Sequence, residues 1–458
     1  MAAPLKPQDI VASFLDQGDN IKDILYVDCN DSFYIWQPDG WYKAISEAEL
    51  CKNMYNFCVK NHPTQKLTAS LIKDFIKQLR WQVMNQVDEI FYKYICFKDC
   101  LLNTNTWETE EKSRDKITTF YLPFNYSSLP DEHPTLDRFI ETSLVTPGEL
   151  KPDLELAQLV QEMFGDCLLP EIKTETAYFL VGNGANGKSI LLNVIEEMIG
   201  REFIVHSNIE KLTTRPFYLP ALIGKKLNIS NEEESKFLKS DTFKALITGN
   251  DISAERKFGD PFDFKPNVKF IFASNKIPTF SDLNYGITRR IKIIQFYNRF
   301  DRENPQTDIF ILDKLKAELP AIVKWAIAGA KRLVENKYNL SYSKQSDLSL
   351  EELQGEISSA VMFFRENYYI NDKEFTGNDD MYAEYKNWCL DVGKKPFSKS
   401  NFGRDLMNTL TDLKQKHGRV NGVICRGKNC AKRNLADELE GVEGASTGGI
   451  SIDDIPML

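Results

Sequence analysis

The chain has 458 residues with an ordinary globular composition, 42% hydrophobic and 27% charged, and a formal net charge of −9. This length predicts about two to four domains, and the sequence lacks the run of ~20 apolar residues that a membrane-spanning helix needs. Residues 1–8 lack the basic and apolar regions of a signal peptide, and the nine cysteines show no pairing pattern. We therefore expect a cytoplasmic protein, in the host cytoplasm if a phage encodes it.

The N-terminal part, residues 1–140, mixes helix and strand patterns and predicts an α+β domain. Residues 31–42 contain two aromatic-rich runs around a Pro-Asp-Gly turn, which predicts a β-hairpin. The apolar spacing in residues 67–94 predicts a helix. Residues 141–170 are also expected to be helical and to lead into the next domain.

Residues 171–336 alternate apolar strands with helices, a pattern typical of an α/β fold with a mostly parallel sheet. Strands are predicted at 176–181, 226–229 and 268–273, with helices at 188–199 and 312–335. Pro320 should kink or break the last of these helices. The domain boundaries expected here are 141–336, including the helical lead-in.

The C-terminal part changes charge abruptly. A Ser-rich stretch at 341–350 predicts a linker, and residues 351–433 predict a small helical, basic module. From residue 386 to 433 there are 12 Lys/Arg and 3 Asp/Glu, whereas residues 434–458 contain 6 Asp/Glu and no Lys/Arg. We expect this last segment to be a disordered acidic tail.

A phosphate-binding loop is the strongest motif in the sequence. It fits the pattern G-x-x-x-x-G-K-[ST] and lies between a predicted strand and a predicted helix, where backbone N–H groups and the helix N-terminus can hold phosphates. The expected ATP-binding residues are Gly182, Asn183, Gly184, Ala185, Asn186, Gly187, Lys188 and Ser189. Lys188 would neutralise the phosphates, and the Ser189 hydroxyl would ligate Mg²⁺.

Polar residues follow two later strands. Glu232 and Glu233 belong to an acidic run after the second strand, where Glu232 would hold Mg²⁺ and Glu233 would polarise the attacking water. The sequence does not decide between these two roles, and a solvated acidic turn remains the alternative. Asn275 follows the third strand and could reach the γ-phosphate or its water, although Asn-x-x-Pro is also turn chemistry.

Two consecutive arginines precede a further apolar strand. Arg289 and Arg290 could be ordinary surface residues. In a ring-shaped ATPase, however, an arginine that crosses the subunit interface stabilises the charge of the transition state. We therefore include both as candidate catalytic residues.

Together these motifs resemble superfamily 3 helicases of the phage, plasmid and poxvirus primase–helicase type. The loop at 182–189, the stretch from 248 to 275 and the segment 285–290 carry the resemblance, which implies an AAA+-type core, ring assembly (usually a hexamer), Mg-ATP hydrolysis and translocation on single-stranded or forked DNA. It also implies that a hairpin carrying Arg256, Lys257 and Phe258 contacts DNA, for which cations and an aromatic ring are suited. A solvated turn is the alternative.

The flanking regions resemble the same proteins more loosely, with a winged-helix module at 382–406 and an N-terminal domain at 96–126. Asn250 departs from the second glycine that the family commonly has. The N-terminal part offers no obvious room for a primase, so priming would need another chain, or this chain is one portion of a longer primase–helicase. The acidic tip at 452–458 could recruit a primase or another replication protein, or could be inert.

Two other functions remain open on the sequence alone. One is an ATP-switched DNA-binding initiator that does not unwind processively. The other is a small-molecule kinase that uses the same phosphate loop, although Asn275, the paired arginines and the basic C-terminal module argue against it.

Overall fold

The computed structural model describes residues 6–16, 24–27, 31–63, 66–83, 93–149, 151–231, 240–256, 261–275, 285–301, 307–410, 412–420 and 423–433. The chain divides into two units. The first comprises Met1–Asp282 and Arg289–Leu350, and the second comprises Leu283–Thr288 and Glu351–Leu458.

A three-stranded antiparallel sheet and three helices form the N-terminal layer of the first unit. They are α1 (Pro7–Asp16), β1 (Ile24–Val27), β2 (Ser32–Trp36), β3 (Tyr42–Ile45), α2 (Glu47–Asn61) and α3 (Ala69–Val83), with strand order β1-β2-β3. The predicted hairpin is confirmed, because β2 pairs with β3 from Trp36–Tyr42 to Phe33–Ile45. The predicted helix at 67–94 ends at Val83, and the chain has entered a strand by Tyr94.

A second small sheet and two helices lead into the central domain. They are β4 (Tyr94–Phe97), β5 (Leu101–Asn103), β6 (Thr109–Glu110), β7 (Tyr121–Leu122), α4 (Pro134–Ser143) and α5 (Leu154–Leu168), with a 3₁₀ turn at Tyr126–Ser128. The prediction of helix over 141–170 is confirmed for α5 and is wrong for the stretch between α4 and α5. The chain turns through Pro147 and Gly148, and Gly148 has a φ of +78°, a conformation that ends regular helix.

A five-stranded, all-parallel sheet forms the centre of the first unit and confirms the predicted α/β class. Its strands have the order β14-β8-β13-β10-β9. The elements here are β8 (Ala177–Val181), α6 (Lys188–Ile199), β9 (Ile204–Val205), α7 (Ile209–Thr214), β10 (Leu227–Ser230), α8 (Ser240–Thr248), β11 (Ile252–Glu255), β12 (Pro261–Phe264), β13 (Lys269–Ser274) and β14 (Ile291–Gln295), with 3₁₀ segments at Arg201–Phe203 and Pro216–Leu222. The short helix α9 (Tyr285–Thr288), which precedes β14 in the chain, belongs to the second unit.

Three helices follow the sheet: α10 (Ile311–Ala317), α11 (Leu319–Glu335) and α12 (Lys344–Ile357). The predicted break near Pro320 is confirmed, because Pro320 lies in the first turn of α11, where its missing N–H costs little. The predicted linker at 341–350 is wrong, since α12 begins inside it. Its serines are structural: Ser343 and Ser346 are buried, and the Ser343 hydroxyl accepts the Ser346 N–H (3.4 Å).

The second unit combines helices with short antiparallel strands. It contains α13 (Ser359–Asn367), β15 (Tyr368–Ile370), β16 (Thr376–Gly377), α14 (Asn378–Asp391), α15 (Lys399–Thr409), β17 (Gln415–Val420), β18 (Val423–Lys428) and β19 (Cys430–Lys432). Its core is aromatic, with the Tyr385 and Phe402 rings stacked at a centroid distance of 4.4 Å. The module was predicted to be helical with a winged-helix resemblance, and no individual strand was predicted in it.

Candidate nucleotide-binding site

The loop at 182–189 connects the buried strand β8 to helix α6. Gly184, Ala185 and Gly187 have positive φ angles of 89°, 48° and 94°. The Ala185 carbonyl accepts a hydrogen bond from the backbone N–H of Phe300 (2.6 Å), which fixes the loop against the chain that follows β14. The backbone thus turns sharply just before the N-terminus of α6, the position at which anions bind favourably.

Gly187 allows helix α4 to pack directly against this loop. A Cβ atom at Gly187 would lie 3.1 Å from the Ser143 hydroxyl and 3.2 Å from the Phe139 ring. Because its φ is also positive, any other residue here would be both strained and crowded.

Lys188 is held in the loop by hydrogen bonds to its neighbours. Its ammonium group donates to the Gly182 carbonyl and to Asn186 Oδ1 (3.1 Å). Burial lowers the pKa of Lys188, since only 7% of the residue is exposed. Asn186 is also buried, and its Nδ2 has no hydrogen-bond partner among the residues that the structure describes. Such a donor is costly to bury unless something accepts from it.

A cavity of about 880 Å³ opens over the loop. This volume lies within the range of about 300–1,000 Å³ typical of small-molecule sites. Ser189 and Asn275 both line the cavity, as do several residues of the loop. The hydroxyl of Ser189 suits a hard cation such as Mg²⁺, which prefers oxygen ligands and bound phosphate. Glu232 and Glu233 lie outside the described residues.

The carboxyl ends of the parallel strands bring two asparagines to the cavity. β13 is paired with β8 up to Ser274–Val181, so Asn275 follows the carboxyl end of β13 beside the phosphate loop, which follows the carboxyl end of β8. Asn231 follows the neighbouring strand β10 and also lines the cavity. Asn275 was predicted for this place, whereas no role was predicted for Asn231.

Several cavity residues come from segments in which no motif was recognised. Helix α4 contributes Arg138, and the chain before and within α10 contributes Asp308, Ile309 and Lys314. The Lys314 ammonium beside Asp308 (2.5 Å) holds the pKa of that carboxyl below its usual value, with help from the Phe310 N–H and from Arg138. A lone arginine on a helix and an Asp–Lys pair are too common in sequences to be noticed as site residues.

Arg289 and Arg290 lie at the amino end of β14, whereas the phosphate loop follows the carboxyl end of the neighbouring parallel strand β8. Ala177, the first residue of β8, donates its N–H to the Arg290 carbonyl (2.8 Å), and Arg290 also forms an ion pair with Glu175 (3.0 Å). Arg289 is exposed. Strand β14 has five residues, so at ~3.3 Å per residue its length separates the arginines from the phosphate loop of the same chain by roughly 16 Å.

Arg256, at the end of β11, is engaged within the first unit. It donates to the carboxylate and the backbone carbonyl of Asp31, and its guanidinium lies 4.3 Å from the centre of the Phe262 ring. Lys257 and Phe258, predicted beside it as DNA contacts, lie outside the described residues.

An exposed group of aromatic and basic residues next to this hairpin was not predicted. Phe217 is 53% exposed, and its ring packs against Tyr218 at 4.9 Å. Lys211 lies 5.8 Å above the Tyr218 ring, and Arg215 is exposed nearby in sequence. The signal in the sequence was the closeness of these four residues, in which two cations are followed by two aromatic residues. We call them the aromatic–basic cluster.

Two absences apply to the described part of the chain. No group of three or more His, Cys, Asp or Glu side chains that could hold a metal ion is present there. Among the same residues, every helix is too short or too polar to cross a bilayer.

Comparison with known proteins gives partial matches. The family described as a family of unknown function, DUF5906, matches residues 180–290. A protein of Acanthamoeba polyphaga mimivirus that is provisionally named a helicase is 27% identical over 186 residues, which are 39% of this chain and 19% of that protein. A protein of Invertebrate iridescent virus 3 with the same provisional name is 24% identical over 252 residues, which are 48% of this chain and 27% of that protein.

Among solved structures, two of the NrS-1 C-terminal region are similar along most of their length. One is 13% identical with a TM-score of 0.48 and covers 93% of this chain and 99% of that chain. The other is 12% identical with a TM-score of 0.48 and covers 94% and 100%. The chain spans less than a third of either viral relative. Over the part that these two matches cover, the chain is homologous to helicase-like proteins of large DNA viruses.

Proposed function

We propose that this protein is an ATP-dependent DNA helicase of the superfamily 3 type, acting in phage, plasmid or viral DNA replication. In this proposal an AAA+-type core forms a ring, expected to be a hexamer, that translocates on single-stranded DNA. The observation that carries the proposal is the phosphate loop with its buried Lys188, lying beneath a cavity large enough for a nucleotide and beside Asn275.

Each cavity residue has a role in this proposal. Lys188 leaves the Gly182 carbonyl and Asn186 to neutralise the β- and γ-phosphates of ATP. The free donor of Asn186 bonds a phosphate oxygen, and Asn275 orients the attacking water. Ser189 and Glu232 would hold Mg²⁺, which supplies charge neutralisation at the phosphates. Glu233 would polarise the water.

The position of Arg289 and Arg290 supports a ring. Both arginines lie at the amino ends of the parallel strands, away from their own phosphate loop at the carboxyl ends. They can therefore serve catalysis only by reaching a neighbouring subunit. Arg290 is held by Glu175, whereas Arg289 is more exposed and is the better candidate to cross the interface.

DNA would contact the β11–β12 hairpin, which carries Arg256, Lys257 and Phe258, and the adjoining aromatic–basic cluster. Pro220 and Arg256 line the same groove, so the 3₁₀ segment that carries Phe217 lies beside the hairpin. An exposed ring with neighbouring cations suits single strands, since bases stack on the ring and phosphates bind the cations.

The decisive experiment compares ATP hydrolysis with and without single-stranded DNA in the intact protein, in Lys188→Ala and in the surface control Lys151→Ala. We expect DNA to stimulate hydrolysis in the intact protein and the control, and to have no effect in Lys188→Ala. Strand separation should then follow on a forked substrate. Hydrolysis that ignores DNA would contradict the proposal and favour a small-molecule kinase.

An ATP-switched initiator is the second candidate, favoured by the basic stretch at residues 386–433. It predicts DNA-stimulated hydrolysis without separation of the forked strands. The same forked-substrate assay therefore distinguishes the two functions.

A further inference from the structure

The hairpin of β17 and β18 in the second unit presents an outward face that is basic and partly apolar. The two strands pair from Gln415–Lys428 to Val420–Val423. Residues opposite each other in an antiparallel pair share one face, so His417 and Arg426 lie on the same face as Arg419 and Ile424. We call these four residues the outer hairpin face.

The charge of this region is entirely positive. Between residues 414 and 433 the sequence contains seven Lys/Arg and no Asp/Glu. Lys432 forms an ion pair with Glu384 and Lys428 is buried, but Arg419 and Arg426 are exposed, and their guanidinium groups make no ion pair or hydrogen bond with any described residue. Two cations on one face are therefore available to an anionic partner.

The opposite face of the hairpin is covered by Phe375. A Cβ atom at Gly418 would lie 2.6 Å from the Phe375 ring, and one at Gly427 would lie 2.4 Å from it. The glycines thus let the ring pack flat against the strands. This contact fixes which face of the hairpin is turned outward.

The end of the hairpin at which Val420 pairs with Val423 is apolar. Val423 and Ile424 are each 68% exposed, so apolar surface lies beside the cations of the hairpin. An exposed apolar side chain flanked by cations is the arrangement that groove-binding hairpins use, with cations on phosphates and apolar atoms on base edges or sugars.

We propose that the outer hairpin face binds duplex DNA, with Arg419 and Arg426 on backbone phosphates and Ile424 against base edges in a groove. A two-stranded ribbon fits the major groove of B-DNA. Unpaired bases are bound mainly by stacking on aromatic rings, and the face carries no Phe, Tyr or Trp. The aromatic–basic cluster has the opposite character, which suits single strands.

This inference rests on the proposed function only in taking DNA as the polymer bound, and its test needs no ATP hydrolysis. The full chain is titrated onto a labelled blunt-ended duplex, without nucleotide, at several salt concentrations. The test variant is Arg419→Ala/Arg426→Ala. The matched control is Lys373→Ala/Lys395→Ala, which removes two exposed cations from the same unit but not from this face.

The arginine variant should bind duplex about tenfold more weakly than the control, and its slope of log affinity against log salt should fall by about 2, one for each lost phosphate contact. Ile424→Ala should weaken binding with the slope unchanged, because it removes only apolar contact. DNA-stimulated hydrolysis should persist in all three variants.

Equal duplex affinities and slopes for the arginine variant and its control would overturn the proposal. The same titration is made with one strand of the duplex alone. If the arginine variant lost as much affinity for this single strand as for the duplex, the assignment to duplex would be overturned. If the arginine substitutions had no effect while deletion of residues 434–458 tightened duplex binding, the face would belong to that acidic segment instead.

Discussion

Asp31 and Arg256 are joined by two hydrogen bonds across 225 residues of sequence. One terminal nitrogen of Arg256 donates to the Asp31 carboxylate, and the other donates to the Asp31 carbonyl (3.0 Å). The same carboxylate accepts from Arg80 (2.7 Å) and from the Tyr26 hydroxyl (2.7 Å). A single acid therefore ties the end of β11 to the N-terminal sheet, and a DNA phosphate would have to displace it to bind Arg256.

Replacing Asp31 with Asn should strengthen single-stranded DNA binding several-fold. The amide keeps the shape of the side chain but lacks the charge that competes with phosphate for Arg256. The gain should disappear in the double variant Asp31→Asn/Arg256→Ala. Fluorescence anisotropy with a labelled oligonucleotide measures both effects.

The control for charge is Asp131→Asn, which removes an exposed acid paired with Lys324 (2.7 Å) elsewhere on the same unit. It should leave DNA affinity unchanged. If Asp31→Asn also left it unchanged while lowering thermal stability, Arg256 would be a structural residue that only anchors the hairpin.

Replacing Asn186 with Ala should lower the rate of ATP hydrolysis by a factor on the order of 10². The variant loses a buried donor that lines the cavity and the acceptor that orients Lys188, and removal of one such donor has an effect of this size in other enzymes. Asn193→Ala is the matched control, because the Asn193 amide donates to the Ser189 carbonyl (2.8 Å) within its own helix and does not line the cavity. Similar rates for both variants would remove Asn186 from the proposed site.

Arg289→Ala and Lys188→Ala proteins should each be inactive alone and regain part of their activity when mixed. In a mixed ring, some interfaces combine an intact phosphate loop with an intact arginine from the neighbour. Loss of the arginine is expected to cost about 10³-fold or more at each affected interface. Rates of hydrolysis across a series of mixing ratios measure the recovery.

Mixtures that show no recovery at any ratio would contradict catalysis in trans by Arg289. A parallel mixture of Lys188→Ala with Asn275→Ala is the control. Both residues belong to the same cavity on the same chain, and no chain in this mixture carries both, so it should show no recovery at any ratio.

The sequence predicted those parts of the site that depend on local pattern. Helix α6 begins and ends at the predicted residues, Lys188 and Ile199, because its apolar spacing and its glycine-rich start are local features. Asn275 could be placed beside the loop because the carboxyl ends of parallel strands lie on the same side of the sheet. Arg138 and Lys314 were missed because only tertiary packing brings their helices to the cavity, and the Asp31–Arg256 pair was missed for the same reason.

Lys226→Met should reduce the dependence of stability on pH. Burial, aided by the charge of Lys269, lowers the pKa of Lys226 to about 7, and its ammonium donates to the Leu169 carbonyl. Between pH 7 and its ordinary pKa near 10.4, the unfolded chain binds the proton and the folded chain releases it, so folded stability rises with pH in this window.

From pH 7 to pH 9 this effect should add about 2 kcal/mol to the free energy of unfolding of the intact protein relative to Lys226→Met. Denaturant titrations at the two pH values measure the difference. Lys225→Met is the neighbouring control, for which the difference should be smaller because Lys225 is less buried. Identical pH dependence in the intact protein and Lys226→Met would show that Lys226 titrates as an ordinary lysine.

Gly329→Ala should destabilise the first unit by about 3 kcal/mol or more, because α11 and α5 touch through their backbones. A Cβ atom at Gly329 would lie 2.2 Å from the Gln161 carbonyl oxygen, and backbone atoms cannot move aside without separating the helices. Gly403→Ala is the matched change in a helix of the second unit, where a new Cβ meets nothing within 4 Å, and it should stabilise that unit by about 0.5–1 kcal/mol. Thermal unfolding of both variants measures the contrast, and equal shifts in the same direction would mean that helix propensity, rather than the contact between α5 and α11, decides the effect at Gly329.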